Sequence, residues 1–210
     1  PVKIKSVKAI VTAPSGSNLI VVKVETTEPG LYGYGCATFT QRAFAVVSAI
    51  NDYLNDFCAG KDVDNIEDMW NSCYVSSYWR NSGVLNNALS GLDEALWDIK
   101  GKRANMPVYQ LLGGKSRFAI PCYGHAGGNT PEAVAESVQS FMAQGYKYIR
   151  IQQGGYGGVG ANAKQPDFKA AGFGYEGDRH INEYAYIKGV PKMFETVRKV
   201  CGEEIELLHD

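Results

Sequence analysis

The sequence predicts an α+β domain followed by the opening units of a parallel β/α sheet or barrel. Three observations predict this. Alternating and β-branched runs dominate the first stretch, at Lys3-Ile4-Lys5 and Leu19-Ile20-Val21-Val22-Lys23-Val24. Apolar residues at helical spacing dominate the next, ending with Leu92, Ala95, Leu96 and Ile99. From about residue 118 onward, strand and helix patterns alternate, which is the grammar of βαβ units.

Taken in order, residues 3–12 and 19–27 read as strands joined by the turn chemistry of Pro14-Ser15-Gly16-Ser17-Asn18. Gly33-Tyr34-Gly35-Cys36-Ala37 reads as a third strand, completing an antiparallel meander. Phe44, Val47, Ile50, Tyr53, Leu54 and Phe57 predict a first helix, and Asp64 is placed to cap a second carrying Ile66, Met69, Trp70 and Cys73. Leu85 to Ile99 predicts a long amphipathic third helix, and Val108 to Leu112 a short one stopped by Gly113-Gly114. Then Ile120-Pro121-Cys122-Tyr123 reads as a strand. Thr130-Pro131 opens a helix running to Gln144, with proline at its first position. Residues 146–152 read as a strand and 154–180 as a long glycine-rich loop, expected to act as a mobile lid. A helix carrying Tyr186, Val190, Met193, Phe194 and Val197 leads to a last strand, Ile205 to His209. The expected division is an α+β domain over 1–117 and the first three strands of a parallel sheet or barrel over 118–210. Because three strands close no barrel, a fragment or truncated polypeptide is expected.

Composition narrows the function classes. The 210 residues carry a net charge of −1, which offers no broad footprint for nucleic acid or anionic membrane. No apolar run approaches the ~20 residues of a membrane span, and the N-terminus has no signal-peptide core. The five cysteines, Cys36, Cys58, Cys73, Cys122 and Cys201, include no CxxC pair. They are expected to be small core residues in a reducing cytoplasm rather than disulfides, nucleophiles or zinc ligands. The glycine pairs lack the lysine and threonine of a P-loop and the spacing of a dinucleotide fingerprint.

Several segments carry a family resemblance: Gly30-Leu31-Tyr32-Gly33-Tyr34-Gly35, Tyr78-Trp79-Arg80, the run from Ala88 to Lys102 containing Ala95-Leu96-Trp97-Asp98-Ile99-Lys100-Gly101, Met106 to Gly114, and Leu207-Leu208-His209-Asp210. Together they resemble the mannonate dehydratase group of the enolase superfamily, over essentially the whole chain. The short spacing of Arg150 to Tyr156 resembles the branch that includes weak mannonate dehydratases, gluconate dehydratases and starvation-sensing-like proteins, and Thr40-Gln41, where efficient mannonate members carry Asn-Gly, is a second departure from those members. The resemblance implies an α+β cap preceding a (β/α)-barrel and a Mg2+-dependent hydro-lyase acting on a small acid sugar. Such an enzyme removes the proton alpha to the carboxylate and expels the 3-hydroxyl, giving a 2-keto-3-deoxy acid. It also implies a cytoplasmic homo-oligomer. The alternative is a weak or inactive relative that binds sugar acids in a regulatory role.

Five residues are candidates. Asp210 follows an apolar strand directly, at the end where barrel sites form, and its hard oxygens suit magnesium. The resemblance makes it the first metal ligand, with two glutamates and a general-acid histidine beyond residue 210, whereas the local sequence alone fits a helix cap equally well. Arg150 shares a strand face with Tyr148 and Gln152, opposite Ile149 and Ile151, and an inward arginine needs an anion or phenolate. The resemblance pairs Arg150 with Tyr156 as the base, since a neighbouring cation lowers a phenol's pKa. A structural ion pair and an ordinary loop aromatic are the alternatives. His125, at the end of the first barrel strand, is implied to contact substrate, unless it is bonded within its own loop. Gln41 lies in Thr38 to Arg42, expected to close over substrate. His209 is expected to face away from the metal, His180 to be exposed, and Tyr74, Tyr78 and Trp79 to belong to the core.

Overall fold

A computed structural model describes residues 1–14, 16, 18–153 and 183–210. The chain forms two compact units, Pro1–Ser116 and Arg117–Asp210.

The first unit is built on an antiparallel sheet of β1 (Ile4–Thr12), β2 (Leu19–Thr26) and β3 (Tyr32–Cys36), in that order. Strand β2 is central, and its alternate residues Ile20, Val22 and Val24 are fully buried. They pack beneath the long helix α4 (Gly83–Arg103), which buries Leu92, Ala95, Leu96 and Ile99. Ser82 caps that helix, accepting from the Leu85 amide at 3.1 Å. Helix and sheet meet at backbone distance: a Cβ on Gly33 would lie 2.0 Å from the Ala95 carbonyl oxygen, and one on Gly91 would lie 2.5 Å from Val22 Cγ2.

Both sheet edges are closed by side chains. On the β3 edge, Glu94 and Asp98, one helical turn apart, accept from the amides of Cys36 at 2.7 Å and Tyr34 at 2.9 Å. On the β1 edge, Asn51 and Asn55 accept from Ala9 and Val7, each at 2.9 Å. These asparagines lie in a helical stretch running from α1 (Ala43–Ser48) through the π-helical Ala49–Leu54 into α2 (Asn55–Cys58). Edge amides that would template foreign strands are thereby consumed. Helices α3 (Ile66–Val75) and α5 (Val108–Leu111) complete the unit, and Gly113 and Gly114 follow with φ of +112° and +94°.

Several expectations are corrected. The first helical stretch buries Ala43, Val46, Ala49 and Ile50, while Phe44 is exposed, and Tyr53, inside the π turn that shifts the face in contact with the core, is exposed as well. Helix α3 is preceded by Asn65 rather than capped by Asp64. Asp64 instead pairs with Arg103 and Lys100 in the last turn of α4, and these cations, Arg103 foremost, hold its carboxyl below the usual range. Tyr78 and Trp79 are exposed, with Tyr74 stacked on Trp70. Of the cysteines, Cys58 and Cys73 are buried but Cys36 and Cys122 are exposed.

The second unit is a parallel sheet of β4 (Tyr123–Gly128), β5 (Tyr148–Gln153) and β6 (Glu206–Leu208), in that order. Helix α6 (Pro131–Ala143) connects β4 to β5, and α7 (Glu183–Cys201) precedes β6. Thr130 caps α6, accepting from Ala133 at 3.2 Å, with Pro131 in the first turn. The first strand begins at Tyr123, not Ile120: Pro121 has no amide to donate, and pairing starts where Tyr123 meets Tyr148. Ala126, Ile149 and Ile151 bury one sheet face against Val134, Val138, Met193 and Val197 of the two helices. No helix among the described residues is long and apolar enough to cross a membrane.

Candidate active site

The second unit's sheet carries its polar side chains on the face opposite the helices. Register places His125 beside Arg150, and Arg150 beside Leu208. Two residues on, past the end of β6, Asp210 returns to the same face. Arg150 reaches it: Nε donates to Asp210 Oδ1 at 2.8 Å, and a terminal guanidinium nitrogen donates to the same oxygen. Another terminal nitrogen donates to Gln152 Oε1 at 3.3 Å. Arg150's side chain is 15% exposed and Asp210's is 64% exposed. A cation so nearly buried needs its partner, while the aspartate faces solvent. His125 is exposed and stacks on Tyr123, with ring centroids 5.1 Å apart.

His209 points the other way. Its Nδ1 donates to the Ile151 carbonyl at 2.7 Å, because that oxygen can only accept, and its Nε2 lies 2.7 Å from the Tyr186 hydroxyl. The same hydroxyl donates to the Asp210 carbonyl at 3.0 Å. These bonds tie the turn at the end of β6 to α7 and fix where the Asp210 carboxylate emerges. Sequence alternation predicted the direction of His209, but nothing in the sequence predicted Tyr186 as its partner.

The structure thus brings Arg150, Gln152 and Asp210 together, with His125 on the adjacent strand. Gln41 is exposed on the turn Thr40–Arg42 of the first unit, where its carbonyl accepts from the Arg42 guanidinium at 2.7 Å. Tyr156, His180 and the expected lid lie outside the described residues.

The geometry fits one contribution to a magnesium site. Asp210 offers hard carboxylate oxygens at the carboxyl end of a parallel strand. No cluster of three or more His, Cys, Asp or Glu side chains that could hold a metal occurs among the described residues.

Residues 1–113 match the family described as mandelate racemase / muconate lactonizing enzyme, N-terminal domain. A D-galactonate dehydratase family member of Musicola paradisiaca is 51% identical over 99% of this chain and 52% of its own length. A crystal structure of an enolase from Pantoea ananatis with bound D-gluconate and Mg is 49% identical, with a TM-score of 0.85 over 100% of this chain and 53% of that one. A member of the enolase superfamily from Salmonella Typhimurium is 26% identical with a TM-score of 0.78, again over 100% of this chain and 54% of that one. The chain therefore spans about half the length of the relatives it matches. With its matched N-terminal domain, its α+β cap and the first strands of a parallel β/α barrel, the chain belongs to the mandelate racemase / muconate lactonizing enzyme family of the enolase superfamily.

Proposed function

We propose that the protein is a Mg2+-dependent sugar-acid dehydratase, with gluconate ahead of mannonate as the substrate to test first. The observation that carries this is the Arg150–Asp210 pair at the carboxyl ends of adjacent parallel strands. The gluconate and magnesium bound to the 49% identical Pantoea ananatis enolase support the choice of ligand.

Asp210 would hold the metal, which when bound supplies positive charge that makes the proton alpha to the substrate carboxylate acidic. Arg150 orients Asp210 through its forked donors and keeps a positive potential on this face. His125, exposed one strand away, is a hydrogen-bonding partner for a sugar hydroxyl or carboxylate. Tyr156 is the proposed base, its phenol acidified by Arg150, and Gln41 a proposed specificity contact from the capping domain. On this reading 1–117 is the cap and 118–210 begins the barrel of a homo-oligomeric, cytoplasmic enzyme.

The test is formation of 2-keto-3-deoxy acid by the natural full-length protein on gluconate, mannonate and other C6 acid sugars. Product that forms with magnesium and disappears with a chelator is expected. Folded, metal-loaded protein that turns over none of them would overturn the dehydratase reading in favour of a sugar-acid-binding relative.

A further inference from the structure

Two buried sulfurs stand side by side in the first unit. Cys58 is the last residue of α2, Cys73 lies in α3, and their Sγ atoms are 3.6 Å apart. Both side chains are held in place. Asn55 on α2 is bonded to the Val7 amide of β1, and Met69, one turn before Cys73, is buried in the same core. A disulfide needs a sulfur separation of about 2 Å, so a shift of roughly 1.5 Å closes the gap.

Cys73, the less buried of the two at 7% exposure, lines a cavity of about 430 Å³ whose wall includes Tyr53, Tyr74, Trp79 and Arg80. Tyr53 and Trp79 are themselves 71% and 81% exposed, so the cavity opens outward. Cys58, at 0% exposure, sits behind Cys73. Position gives the two residues different roles. Either sulfur can donate across the 3.6 Å contact, and the charge of nearby Lys61 favours a thiolate in the pair. A cysteine at a cavity wall, with a second thiol behind it, is the arrangement of an attacking and a resolving cysteine.

We propose that Cys58 and Cys73 form a reversible disulfide on exposure to hydrogen peroxide. The Cys73 thiolate attacks one peroxide oxygen and the O–O bond breaks. Cys73 becomes a sulfenic acid, and the hydroxide released takes up the proton that the Cys73 thiol had lost, giving water. The Cys58 sulfur then attacks the Cys73 sulfur: the S–S bond forms, the S–O bond breaks, and the departing hydroxyl leaves with the Cys58 proton as a second water. Two thiols are oxidised by two electrons and one peroxide is reduced. A dithiol reductant reverses the product by exchange.

The experiment treats the natural full-length protein with hydrogen peroxide, removes the peroxide with catalase, then unfolds and alkylates it for peptide mass mapping. The expected result is one linked peptide pair containing Cys58 and Cys73, lighter by two hydrogens and released by dithiothreitol. Oxidised protein should also melt roughly 5 °C or more higher. Cys58→Ser should leave Cys73 as a sulfenic acid trapped by dimedone, and Cys73→Ser should yield neither product. Alkylation of both residues after peroxide, Cys73 carrying two added oxygens, or linkage through another cysteine would each overturn the proposal. The wild-type map decides the matter even where a variant fails to fold, and it stands apart from whether the protein dehydrates any sugar.

Discussion

Arg150 binds Asp210 through two nitrogens and Gln152 through a third, a geometry that only a guanidinium fork can supply. In the natural full-length protein, Arg150→Lys keeps the charge and loses the fork. If the pair works as proposed, kcat/KM on the sugar acid turned over falls roughly tenfold to a hundredfold with an unchanged far-UV spectrum; an unaltered kcat/KM would reduce the pair to a structural ion pair. Asp93 on α4 presents a different situation. Burial first, then the like charges of Glu67 and Glu94, push its carboxyl above the usual range. The folded state therefore binds this proton more tightly than the unfolded state, and the ionised group subtracts stability as pH rises through the raised value. Asp93→Asn should raise Tm at pH 7, with the gain fading toward about pH 4, near the ordinary aspartate pKa. A gain equal at both pH values would point to packing instead. Residue directions were legible in the sequence where strand alternation fixed them, as for Arg150, His209 and Asp210. They were not legible where long-range partners compete: Asp64 has the chemistry of a cap, but α4 brings Arg103 and Lys100 to it from nearly forty positions away.

Elements in the first unit are locked by backbone proximity, and this is where propensity and packing disagree. Alanine exceeds glycine in helix propensity by about 1 kcal/mol, so Gly91→Ala would stabilise an isolated α4. Here the added methyl would lie 2.5 Å from Val22 Cγ2 and 2.8 Å from Ala37 Cβ. The substitution is expected to cost about 1–3 kcal/mol in chemical denaturation, and a neutral or stabilising result would show that helix and sheet can part without penalty. The same closeness explains a pattern visible in the sequence only as a family segment. Gly33, Gly35 and Gly91 allow the approach, and Glu94 and Asp98 then reach the free amides of β3. Periodicity located β1 to β3 and α4 because burial on one face writes a period into the sequence. It placed the first strand of the second unit too early because strand pairing depends on partners distant in sequence, and it chose the wrong face around Tyr53 because a π turn departs from the 3.6-residue period.

At the scale of the molecule, the described residues form two cores. One gathers residues from Ile4 to Ile99, the other residues from Ala126 to Ile205. The order of patterns along the chain made that division legible, since a meander with helices and a βαβ series bury different faces by different rules. Separate cores predict separable stability. Leu92 is 1% exposed at the centre of the first core, and Leu92→Ala should cost about 2–5 kcal/mol there by removing buried methyl groups and leaving a cavity. Native-state hydrogen exchange on the natural full-length protein tests where that loss is felt. Exchange should accelerate for the amides of β2, β3 and α4, while those of β5, whose Ile149 and Ile151 belong wholly to the second core, change much less. Equal acceleration in both sets would mean that the two cores open as a single cooperative unit.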